Sequence, residues 1–118
     1  MFKNENEIWE AVKQLKGETI KTLTQGRPNL IVEVEDTGSM NDEIHIAERH
    51  TKPTRKDVVD ACKTLSYKKE LERKQDLSHL SGVSSQKSSI VFALVYYIAR
   101  KDVELIRRDR RLIILLKG

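Results

Sequence analysis

With one cysteine, Cys62, the chain forms no internal disulfide, which fits a reducing compartment. Its longest apolar run, Ile90 to Ala99, has ten residues, well short of the roughly 18 to 20 that cross a bilayer. The start, Met1-Phe2-Lys3-Asn4-Glu5-Asn6-Glu7, lacks the basic-then-apolar pattern of a secretory signal, so the expected location is the cytoplasm or, in a eukaryote, the nucleus. No glycine-rich loop is present to cradle a nucleotide phosphate. His45, His50, His79 and Cys62 fall at no compact ligand spacing such as C-x-x-C or H-x-x-x-H, which argues against a metal centre or cofactor. Glu33, Glu35, Asp36 and Glu48 have no lysine at a spacing that nucleases use and read as exposed surface, so no catalytic residue is assigned.

What is present is charge, unevenly placed. The composition, 38% hydrophobic and 34% charged, is that of a soluble globular protein of one compact unit. Residues 1–54 carry seven Lys and Arg against ten Asp and Glu, a net of −3; residues 55–118 carry fifteen against eight, a net of +7. The basic half is where a polyanion partner is expected.

In the first half, Ile8, Val12 and Leu15 recur at helical spacing beside Trp9, so a helix is expected over residues 6–15, with Trp9 in the core and Gly17 as its stop. The period then changes to two. Residues 19–24, 30–35 and 43–47 read as three strands of an antiparallel meander, with Leu30, Val32, Val34, Ile44 and Ile46 inward and Glu33 and Glu35 on an acidic outer face. That face would repel phosphate, so this subdomain, 1–53, is assigned to packing or to a protein partner.

The second subdomain, 54–118, opens on Thr54-Arg55-Lys56-Asp57, which has capping-box spacing, followed by a helix to about Ser66 with Val58, Ala61, Cys62 and Leu65 buried. Residues 67–74 fit either a polar loop or a further helical turn. The run Asp76-Leu77-Ser78-His79-Leu80-Ser81-Gly82-Val83-Ser84 resembles the helix-turn-helix of bacterial and phage repressors. Ser78 stands where two helices approach, Gly82 at the tight turn, Val83 as the apolar plug and Ser84 as the cap of the second helix. The match departs at Ser88, where the pattern has a β-branched apolar residue. Val103 to Leu116 reads as two strands about a bend at Arg108-Asp109-Arg110, in the position of a wing.

The expected fold is therefore α+β: an N-terminal helix and three-stranded antiparallel meander packed on a C-terminal winged helix-turn-helix. The resemblance implies duplex DNA as partner. Ser84, Ser85, Gln86, Lys87 and Ser89 would reach base edges, and Arg107, Arg108, Arg110 and Arg111 would hold phosphates. The same residues suit a solvated helix start and a charged turn. A non-enzymatic regulator, working as a homodimer, is one reading; a protein-interaction module, either an inhibitor or an adaptor, that uses the acidic strand face or the apolar last strand is the other. Leu112 to Leu116 is apolar on both faces and has to be covered twice, by the N-terminal subdomain or across a dimer.

Overall fold

The structure is a computed structural model that describes residues 1–80 and 86–118. It is mixed α+β with two small antiparallel sheets. Helix α1 (Glu5–Lys13) starts where the Asn4 side chain accepts from the Glu7 N–H, and it buries Ile8, Trp9 and Val12. Gly17, at φ +85°, turns the chain, and its N–H donates to the Ile31 carbonyl across the following strands. Strands β1 (Thr19–Lys21), β2 (Pro28–Val34) and β3 (Ile44–Ile46) then pair in the order β1-β2-β3.

The inward set of β2 differs from the alternation read in the sequence. Ile31 and Val34 are buried, whereas Leu30 and Val32 are 41% and 50% exposed. The register between β2 and β3 shifts between Ile31 and Glu33, and such a bulge moves side chains from one face to the other. Ile44 and Ile46 point inward as expected. The outer face is thus part acidic and part aliphatic.

Helix α2 (Arg55–Lys68) begins at a complete capping box: the Asp57 N–H donates to Thr54 Oγ1, and the Thr54 N–H donates to Asp57 Oδ2. It ends at Lys69, whose φ of 69° closes the helix and redirects the chain. Of residues 67–74, which fitted a loop or a helical turn, Tyr67 and Lys68 extend α2 up to Lys69, and the rest supply a strand, β4 (Glu70–Glu72), and the start of a one-turn helix α3 (Arg73–Asp76), with a 3₁₀ turn at Ser78–Leu80 beyond it. Helix α4 (Gln86–Ile98) leads into the hairpin of β5 (Val103–Arg108) and β6 (Arg111–Leu116).

The C-terminal sheet is therefore three-stranded, in the order β4-β6-β5, and not the two-stranded ribbon read from the sequence. That places β6 centrally. Ile113 and Ile114, on opposite faces, are 2% and 0% exposed within one chain, so covering this strand requires no second copy. One apolar cluster includes Trp9, Ile31, Leu65, Leu94 and Ile114, and thus draws on both sides of residue 54. Cys62 lies in it, and burial pushes its thiol up to about 12, which leaves it protonated and inert.

Asp42 ties the loop between β2 and β3. Its carboxylate accepts from the Thr37 hydroxyl and from the Thr37 and Gly38 N–H groups, and these bonds, the hydroxyl first, hold its pKa below the ordinary aspartate value. A carboxyl depressed in the folded state contributes stability above its unfolded pKa and loses it as pH falls through the folded one. Acid unfolding of the wild type followed by circular dichroism should show this contribution disappear below the ordinary aspartate range. In Asp42→Asn the melting temperature should be lower at neutral pH and less dependent on pH in that range; an unchanged acid limb would contradict the assignment.

Candidate nucleic-acid interface

Six consecutive residues of α4, Ile90 to Val95, are each at most 2% exposed. At 3.6 residues per turn they cover every side of the helix, so α4 is enclosed and cannot lie lengthwise in a DNA groove. Its two ends reach the surface: the first turn, and Tyr96, Tyr97 and Ile98, which are half-buried. In the first turn Gln86 and Ser89 face outward, and Thr51 Oγ1 donates to Gln86 Oε1 at 3.0 Å, which fixes the amide and leaves its NH₂ without a partner among the described residues. Lys87 is turned to the other side, where its Nζ is 2.9 Å from Asp57 Oδ2. Ser88, where the repressor pattern has an apolar residue, is buried as that position demands, and Arg73 donates to its hydroxyl at 3.3 Å. Gly82, Val83, Ser84 and Ser85 lie outside the described residues.

The hairpin arginines divide between its two faces. Arg107 is paired across the strands with Leu112, in the alternating set that holds the buried Ile114 and Val103. Arg108 and Arg111, paired with each other, belong to the opposite set. On that face Arg108 Nη1 lies 3.0 Å from Glu70 Oε2, and Arg111 Nη1 lies 3.3 Å from Glu72 Oε1. The crowding of four arginines is thus relieved by two β4 carboxylates as well as by Asp109. Arg107 and Arg110 have no such partner among the described residues.

These two arginines open onto a cleft of about 210 Å³ whose other lining includes Thr24, Arg73, Lys74 and Arg111. A second cleft, of about 80 Å³, adjoins it through the shared residues Thr24 and Arg73; Arg27, Arg49, Gln86 and Ser89 also line it. Together they form one groove between the β1–β2 loop, α3, the start of α4 and the hairpin tip. Arg27, Arg49, Arg73, Lys74, Arg107 and Arg110 have no carboxylate within 4.0 Å among the described residues, and Glu72, tied to Arg111, is the acidic lining residue. Outside the groove pairing is mixed: Lys13, Lys16, Lys56, Lys63 and Lys68 each meet an Asp or Glu, whereas Lys3, Lys21, Lys52, Lys69, Arg100, Lys101 and Lys117 meet none among the described residues. What sets the groove apart is that its cations share one concavity. Comparison with family models, curated proteins and solved structures returns no match.

Of the residues assigned from the sequence, the groove gathers Gln86, Ser89, Arg107, Arg110 and Arg111. It excludes Lys87, and Arg108 faces away. Sequence reading missed Arg27, Arg49, Arg73 and Lys74. Arg27 and Arg49 belong to the subdomain that was assigned to packing or a protein partner because its acidic strand face would repel phosphate, yet its carboxylates sit elsewhere: Glu35, Glu43 and His45 form a separate group on the β2–β3 hairpin. Each offers an oxygen or nitrogen within 4.8 Å of the others, a ligand set of the kind divalent cations use. Glu35 and His45 are tied to each other, and Glu35 also to the Glu43 backbone: His45 Nε2 lies 2.8 Å from Glu35 Oε2, and the Glu43 N–H donates to Glu35 Oε1. These bonds, the one to His45 first, hold the Glu35 carboxyl below its ordinary pKa.

A larger hollow, about 740 Å³, lies between the first residues of the chain and α2, lined by Phe2, Ile8, Cys62 and Tyr67. Its lining is mostly apolar, and the charged pair there, Lys63 and Glu5, meets at 2.8 Å.

The hairpin bend itself is strained. Asp109 and Arg110 both have positive φ, 50° and 67°, as a two-residue type I′ turn requires, and that turn favours Asn-Gly. An arginine in the left-handed region costs on the order of 1–2 kcal/mol. The double change Asp109→Asn, Arg110→Gly should therefore raise stability by about 1 kcal/mol in a urea titration while it weakens polyanion binding. A variant no more stable than wild type would remove the strain argument.

Proposed function

We propose that this protein is a non-enzymatic, nucleic-acid-binding module of the winged-helix class that grips the backbone of duplex DNA in the cationic groove. The single observation that carries this reading is the gathering of six cations, none with a carboxylate partner among the described residues, along one groove. Cations held together without carboxylates repel one another, and a phosphate chain relieves that repulsion with release of its counterions. The order helix, strand, helix, helix, hairpin, with the first strand pairing the last, supports the winged-helix assignment. Arg110, kept in a strained bend that glycine would suit better, supports a binding role for the tip.

Within this reading α4 does not read bases along its length. Its first turn meets the groove end-on, so Gln86 and Ser89 supply what base contact there is, with Ser84 and Ser85 as further candidates just before it. Duplex is favoured over single strands on chemical grounds. Single-strand binders stack bases on exposed aromatic rings, and the aromatic residue lining the groove, Phe92, is 2% exposed.

A protein partner is the second reading, and Leu30 and Val32 favour it as exposed aliphatic residues in the middle of β2. Fluorescence anisotropy with a random duplex and the matching single strand, each at low and at moderate salt, separates the two. The DNA reading expects the duplex to bind more tightly than the strand and to be released by salt. No binding of either at low salt favours the protein partner.

A further inference from the structure

We infer that the smaller cleft, between the β1–β2 loop and the start of α4, is a subsite for one phosphate group, held by Arg27, Arg49 and Arg73. The inference deepens the nucleic-acid reading and rests on it for the source of that phosphate. Three arginines line it from three separate segments: the β1–β2 loop, the connector before α2, and α3. None has a carboxylate within 4.0 Å among the described residues, although arginine side chains turned to solvent could have separated and these line one concavity. Size limits the occupant. At about 80 Å³, where a single water needs roughly 10–15 Å³ by the same measure, the cleft holds five to eight water-sized groups. That suits a tetrahedral oxyanion and lies far below the roughly 300 Å³ of a site for a larger organic molecule.

Two of the three guanidiniums are also fixed in advance. Arg49 Nε donates to Oδ1 of Asn29, a residue 2% exposed, and Arg73 Nη1 donates to the buried Ser88 hydroxyl. Each guanidinium has five N–H donors, so one anchored donor leaves others for a ligand. The Arg27 backbone is held from both ends: its N–H donates to Thr22 Oγ1, and its carbonyl accepts from Asn29 Nδ2. Asn29 is thus a positioning residue that holds the Arg49 side chain and the Arg27 backbone. Groups held in place before binding lose less freedom when the ligand arrives. The first turn of α4, a helix of 13 residues, lines the same cleft through Gln86 and Ser89 and adds the positive end of its dipole.

Inorganic phosphate is the direct probe. Titrated into the full chain at constant ionic strength and followed by the arginine Nε–H resonances, it should give saturable shifts of Arg27, Arg49 and Arg73. Arg49→Gln should weaken binding at least tenfold, and Asn29→Ala should weaken it less. Lys63→Gln, which removes one charge on α2, should leave it within twofold. Fingerprint amide spectra of each variant separate loss of the site from loss of the fold, and Arg49→Lys offers a milder change if Arg49→Gln does not fold. Shifts that fail to saturate, or an equal loss in Lys63→Gln, would overturn the subsite.

Duplexes with and without a 5′-phosphate identify the source. Equal affinity assigns an internal backbone phosphate; tighter binding of the phosphorylated duplex assigns a terminal one. If phosphate binds and no duplex does, the subsite stands and the nucleic-acid reading falls. If duplex binds and Arg49→Gln alters neither its affinity nor phosphate shifts, the subsite falls alone.

Discussion

Replacement of Arg107 and Arg110 together by alanine should lower duplex affinity on the order of 100-fold near 0.1 M salt. Each charge-assisted contact to phosphate is worth about 1.5 kcal/mol or more, close to the 1.4 kcal/mol that makes a factor of ten. The slope of log K against log salt should become shallower by about 2, since each neutralised phosphate contributes about 0.9. The loss should be uniform across sequences, because backbone contacts carry no base information. Arg108→Ala should act differently. Its guanidinium is already tied to Glu70 on the other face, so about a threefold change or less is expected from so screened a pair. Equal effects of Arg107→Ala and Arg108→Ala would mean that the two faces of the hairpin have been assigned wrongly.

The largest loss of stability should come from Trp9→Ala. Trp9 is 1% exposed, its indole Nε1–H donates to the Glu35 carbonyl at 2.9 Å, and the Arg55 guanidinium lies 5.6 Å from its ring centroid. Truncating a buried aromatic residue costs about 3–5 kcal/mol, a large part of the 5–15 kcal/mol that holds a domain folded. Arg55 makes the cost worse. It is buried, its Nη2 donates to Asn6 Oδ1, and its Nε has no hydrogen-bond partner among the described residues, so the ring face is one of few groups that offset its charge. Urea titration should show a much lower midpoint with little change in slope. Trp9→Phe, which keeps a ring and loses the indole hydrogen bond, should cost about 1–2 kcal/mol. A Trp9→Ala protein within 1 kcal/mol of wild type would contradict this account of the core.

Much of this was legible in the sequence wherever one local rule governs. The stripe of Ile8, Trp9 and Val12, the capping box at Thr54 and Asp57, and the bend at Arg108–Arg110 each follow from spacing alone, and each is found. What was not legible depends on partners distant in the chain. Glu70-Leu71-Glu72 is too short and too charged to read as a strand, and it becomes one because β6 pairs with it. The bulge that turns Leu30 and Val32 outward leaves no mark in an alternating pattern. The same limit hid half of the groove. Arg27, Arg49 and Arg73 are isolated in sequence, and only the fold brings them together. A net charge summed over residues 1–54 concealed that the acidic side chains there, such as Glu33 and Glu35, occupy a different face from Arg27 and Arg49.

Amide chemical-shift mapping with a short duplex at low salt tests the central claim most directly. Addition of duplex should shift the amides of Thr24, Arg27, Arg49, Arg73, Gln86 and Arg110 and leave those of Glu33, His45, Lys63 and Tyr67 in place. Shifts concentrated on the latter group, or none at any duplex concentration, would contradict it.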